Sequence, residues 1–152
     1  MKKNLFLFLM ITSFTVFNVS CSKDDDDTST TSNSLSVKVD GTLKNFNTIT
    51  VVENIQNLGT VDEYTLLEVT ASNSSSEQIK FGVEKNDIGN DILWYLKYID
   101  GSTEYDSSGF DNSNVTVNSN NKITGTFSGD MTNISGGIDN IQLTEGAFNF
   151  QY

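Results

Sequence analysis

The chain has 152 residues and a formal net charge of −11, with twenty acids against nine lysines, no arginine, no histidine, no proline and one cysteine. The missing histidine excludes imidazole general bases, His-based triads and His-ligated zinc, and the missing arginine excludes bidentate clamping of phosphate or carboxylate. So acidic a chain is repelled by nucleic acid and by anionic headgroups, and a single thiol cannot form an internal disulfide.

The first element is an export signal. Lys2 and Lys3 precede the 13 apolar-rich residues Leu5–Phe17. A basic start and an apolar run of roughly 7–15 residues are the layout of a secretory signal, whereas a membrane-spanning helix needs about 20 apolar residues. Asn18, Val19 and Ser20 then lead into Cys21, which is followed by Ser22, Lys23 and Asp24–Asp27. An exposed unpaired thiol is a liability in an oxidising compartment, so its use as a lipid attachment point explains it best. These residues resemble the lipobox of bacterial lipoproteins, with Asn18 where an aliphatic residue is usual. The resemblance implies cleavage before Cys21 and acylation of Cys21 by diacylglycerol and palmitate-type chains. Each buried methylene contributes about 0.8 kcal/mol, so two or three chains hold a protein on a membrane.

Residues 1–20 are therefore read as the signal and residues 21–34 as a lipidated cysteine with an acidic, Ser/Thr-rich tether. Thr28–Ser34 carries no apolar side chain to bury, and composition predicts a flexible coil with a reach of roughly 20 Å. Lysine followed by acids resembles surface-export signals of Bacteroidota-type lipoproteins. The expected location is the outer membrane, on the cell surface, with the periplasmic face as the alternative.

Residues 35–152 form the folded domain, with a net charge of −10. Period-2 alternation dominates. Leu35, Val37 and Val39 alternate up to Asp40-Gly41, a dipeptide that favours a type I′ hairpin turn, and Leu43 and Phe46 lie on the return. Thr48–Val52 follows, then Tyr64–Ala71, apolar on both faces. Ile79, Phe81 and Val83 alternate, Ile92–Ile99 reads as one long strand, and the chain returns from Asp100-Gly101 through Tyr105. Short strands follow around Val115 and Val117, and around Ile123 and Phe127, where Gly125 marks a close backbone approach. Ile141 and Leu143 enter the last element, which alternates out through Phe148, Phe150 and Tyr152. No window after Cys21 carries a helical stripe. The expected fold is all-β: one antiparallel sandwich of about eight strands, or alternatively a closed or partly open lipocalin-like barrel.

Lys122–Ser128, Leu143–Phe148 and the Val37–Gly41 hairpin resemble, taken together, small Bacteroidota surface lipoproteins with a β-rich domain of unknown function. That resemblance implies fold and location and supplies no catalytic residue.

Three constellations could carry chemistry. Trp94 and Tyr98 would share one face of the Ile92–Ile99 strand, with Tyr95 on the other and Tyr105 and Phe110 near the turn; flat aromatics on an exposed sheet stack on sugar rings. Asp100, Glu104, Asp106 and Asp111 could hold calcium, a hard cation that takes six to eight oxygens, although their spacing is not that of an EF-hand loop. Carboxylate pairs could run glycoside hydrolysis, a remote reading because twenty acids make some pair inevitable. The sequence therefore points to a non-catalytic module binding a glycan or an envelope protein, with no cofactor beyond the covalent lipid. The alternative is a structural or assembly accessory without a small-molecule site.

Overall fold

The computed structural model describes residues 33–73, 76–107 and 111–152. Residues 1–20, read above as a signal, Cys21, most of residues 21–34, read as a tether, and Phe110 lie outside them.

Eleven strands and no α-helix make up the described residues. They are β1 (Ser34–Val39), β2 (Thr42–Phe46), β3 (Thr48–Gln56), β4 (Tyr64–Ser72), β5 (Gln78–Glu84), β6 (Gly89–Asn90), β7 (Tyr95–Asp100), β8 (Thr103–Asp106), β9 (Asp111–Ser119), β10 (Lys122–Asn133) and β11 (Asn140–Gln151). All pairings are antiparallel, and the strands form one sheet in the order β2-β1-β11-β10-β8-β7-β5-β4-β3. The sheet forks at β10: Lys122–Gly129 pairs with β9, which carries β6, whereas Thr132 and Asn133 pair with β8. β2 and β3 stand at opposite ends of the order, yet Asn47 alone separates them in the chain. The sheet must therefore curl until its two ends meet, giving an antiparallel half-barrel. The all-β expectation holds. There are more strands than about eight, among them the two-residue β6 in a Gly- and Asn-containing segment too brief to show alternation.

Turn chemistry follows the residues. Asp40 and Gly41 both take positive φ (47° and 79°) between the paired Val39 and Thr42. Asn120 and Asn121 do the same (53° and 58°) between Ser119 and Lys122. Two consecutive positive-φ residues match the right-handed twist of the flanking strands, and asparagine tolerates that region better than other residues with a Cβ.

Inward side chains from every long strand fill the curl. Phe46, Phe81 and Phe150 are fully buried, as are Leu67, Leu96, Ile123, Met131 and Leu143. Phe81 lies at its centre, with ring centroids 5.0 Å from Phe148, 6.4 Å from Phe150 and 6.5 Å from Phe127. Such tilted aromatic packing adds about 0.5–1.5 kcal/mol per pair beyond the area it buries. No disulfide contributes within the described residues, so burial and backbone pairing carry the stability.

Two glycines on inward positions allow strands to approach. A Cβ at Gly125 would lie 2.5 Å from the Phe148 ring and 2.6 Å from the Asn114 carbonyl oxygen. One at Gly146 would lie 2.6 Å from the Phe127 carbonyl oxygen. Glu145, just before Gly146, has φ of 52° where the β10–β11 register shifts, so a bulge bends the sheet there.

Candidate functional site

The four aromatic candidates divide between the inside and the outside. Tyr98 and Tyr105 are buried, their centroids 6.0 Å apart. The Tyr98 hydroxyl donates to Glu77 Oε1 at 3.0 Å, and the Tyr105 hydroxyl donates to Asp139 Oδ2 at 2.8 Å. Burial, and then the Glu77 carboxylate, push the Tyr98 phenol far above its ordinary pKa. Both rings belong to the core and are closed to a ligand.

Trp94 is 54% exposed, and its ring centroid lies 5.0 Å from that of Tyr64 at an interplanar angle of 33°. Trp94 and Tyr98 therefore do not share a face, contrary to the reading of Ile92–Ile99 as one strand. The strand proper begins at Tyr95, and Trp94 sits on a bend where its N–H donates to the Gly82 carbonyl at 2.8 Å. Leu93 takes the inward position in its place, at 9% exposure, and Leu96 is the next inward residue. Two successive residues, Trp94 and Tyr95, thus avoid the core, and strict alternation fails by one step.

Tyr95 is half-buried on the outer face, where a Cβ at Gly82 would lie 2.6 Å from its ring. Gly82 gives the ring room to lie flat across β5. Burial, and then nearby Glu68, raise the Tyr95 phenol pKa. Val52, Glu68, Gly82 and Tyr95 are successive partners across β3, β4, β5 and β7, so they form one transverse row on the outer face. Val52 remains 48% exposed in that row. Tyr64, the stacking partner of Trp94, lies thirty residues upstream on β4, and no short-range pattern could pair them.

The acidic candidates do not converge. Lys97 Nζ lies 2.7 Å from Glu104 and 3.9 Å from Asp106, neutralising part of the set. Asp100 pairs with Thr103 across the β7–β8 turn, and Asp111 opens β9 opposite Gly129. Among the described residues no group of three or more acidic or thiol side chains is placed to hold a metal ion.

Glu77 is a polar anchor that sequence reasoning missed. It is 9% exposed and accepts hydrogen bonds from Lys44 Nζ at 2.7 Å, from Tyr98 and from Asn73 Nδ2. The ammonium of Lys44 is the main cause holding the Glu77 carboxyl below its ordinary value of 4.5, and the same bond raises Lys44. A carboxyl with a lowered folded-state pKa adds stability that is fully present above its unfolded value and is lost as pH falls through the folded value. Glu77→Gln is expected to flatten the loss of melting temperature below about pH 4.5, and an acid limb as steep as wild type would contradict it.

Among the described residues no helix is long and apolar enough to cross a membrane. Comparison of the chain with protein-family models, curated proteins and solved structures found no match. The class that the fold and this geometry define is an antiparallel all-β domain with an exposed tryptophan packed against a half-buried tyrosine.

Proposed function

We propose that this chain is a lipid-anchored cell-envelope protein, attached to the outer membrane through Cys21, whose β-domain is a non-catalytic binding module for a glycan. The observation that carries the binding reading is the exposed Trp94 ring held against Tyr64, with Tyr95 beside it on the same outer region. Every described phenylalanine, with Tyr98 and Tyr105, is buried, whereas the sole tryptophan stands largely in water. An indole fixed by a stacking partner presents a rigid, flat, apolar surface with a polar N–H, which suits the apolar face of a sugar ring. Tyr95 and the Gly82 gap keep the neighbouring surface low enough for a chain to pass.

The anchor reading rests on the charge and hydropathy pattern of residues 1–21. The described domain begins at Asn33, whose side chain bonds to the backbone of Gln151, so the membrane attachment would enter beside the chain end.

Trp94 is the only tryptophan, so its emission reports this surface directly. Titration with a panel of neutral and acidic polysaccharides is expected to shift or quench that emission. Trp94→Ala, followed by calorimetry because it removes the fluorophore, is expected to weaken binding about tenfold or more, matching 1–3 kcal/mol for one stacking aromatic. A flat response across the panel would sink the glycan reading.

A further inference from the structure

A second surface takes in Asp91, three residues before Trp94 in the chain. A trough of about 530 Å³ crosses the outer face of β9, β10 and β11, and a smaller recess of about 150 Å³ shares Asn112 and Ser128 with it. Its floor is set by register: Asn114 pairs with Thr126, Asn112 with Ser128, and Thr126 with Ala147. Directly opposed residues on one face have Cβ atoms about 4.5–5.5 Å apart, so two carboxamides and two hydroxyls form a compact square. Short side chains at Thr126, Ser128 and Ala147 keep the floor low. The bulge at Glu145 bends the sheet, and the Lys38–Glu145 ion pair (2.6 Å) stands on the β1–β11 side. Asn90 and Asp91 line the opposite, β9 side. The Asp91 backbone N–H donates to the Ser113 carbonyl at 2.8 Å, and its carboxylate accepts from the Ser113 N–H at 3.2 Å.

We propose that this trough binds a neutral oligosaccharide chain, as an extension of the glycan surface centred on Trp94; the proposal rests on the glycan reading above. The side chains of Asn112, Asn114, Thr126 and Ser128 make no hydrogen bond to another described residue, so their whole donor and acceptor capacity faces the trough. Carboxamides and hydroxyls both donate and accept, which matches the hydroxyls of a sugar one for one. Glu145 is paired with the Lys38 ammonium, Asp91 keeps its negative charge at the β9 wall with one oxygen on the Ser113 N–H, and the floor between them carries no ionisable side chain. An anionic chain would meet the field of a domain with net charge −10. An apolar ligand would strip water from four polar side chains without replacing it. Trp94 follows Asp91 by three residues, so their Cα atoms are at most about 11 Å apart, roughly two sugar rings' reach. That separation is within reach of a saccharide chain of a few rings that leaves the trough on its Asp91 side.

The test is calorimetric titration of the full-length protein with neutral hexasaccharides of glucose, mannose and galactose. Three variants are compared: Asn112→Ala/Asn114→Ala, which removes the carboxamides; Ala147→Phe, which fills the floor; and Trp94→Ala. All change exposed positions, and unaltered melting temperatures check that the fold survives. The proposal expects at least one hexasaccharide to bind and all three variants to weaken it tenfold or more. If Trp94→Ala alone weakens binding, or if only acidic glycans bind, the trough proposal falls and the aromatic surface stands. If no glycan binds, both fall.

Discussion

Deleting Phe148–Tyr152 is expected to abolish the cooperative thermal transition. Phe148 and Phe150 are 2% and 0% exposed, and Phe148 packs against Phe81, Phe127 and Phe150. Truncating one buried phenylalanine costs about 3–5 kcal/mol, so losing two removes an amount comparable with the whole stability of about 5–15 kcal/mol expected for a domain this size. The same five residues pair Lys122–Gly125 of β10 on one side and Ser34–Leu35 of β1 on the other. Their removal therefore leaves two strand edges unpaired as well as a void. Circular dichroism melting reads the result, and a transition within a few degrees of wild type would show that the end of β11 does not hold the core.

Gly125→Val is expected to destabilise the domain by about 3 kcal/mol, the upper end of overpacking costs. The obstruction is double: the Phe148 ring at 2.5 Å and the Asn114 carbonyl oxygen at 2.6 Å from the first added carbon. The ring cannot rotate away, because Phe81, Phe127 and Phe150 surround it. The carbonyl belongs to β9, paired to β10 at this point, so relief requires breaking the ladder. Thr126→Val, next in the strand but exposed, is the control and should shift stability by no more than about 0.5 kcal/mol. Equal urea midpoints for the two variants would contradict the close-approach reading.

The strands were legible because burial on one face imposes period 2, and the residues from Leu35 to Val39 and from Phe148 to Phe150 keep it. Asp40-Gly41 was legible because few dipeptides accept two positive φ angles. The fork at β10 was not: Lys122–Asn133 changes partner midway, and which strand lies beside each half is fixed by contacts far apart in the chain. The aromatic candidates are legible by residue type alone. Period 2 puts Trp94 on the face of Tyr98, whereas the bend at Trp94 reverses parity there, and its contact with Tyr64 spans thirty residues, beyond any local pattern. The trough escaped for another reason. Asn112, Asn114, Thr126 and Ser128 look like ordinary solvated strand positions until register sets them side by side.

The proposed function depends most on attachment through Cys21, because a lipid-anchored binding module would work only where its anchor holds it. Metabolic labelling with a tagged palmitate, followed by membrane fractionation, tests this in the intact cell. The wild-type chain is expected to carry the label and sediment with membranes, and Cys21→Ser is expected to lose the label and leave the membrane fraction. A Cys21→Ser chain that still sediments with membranes would contradict the account.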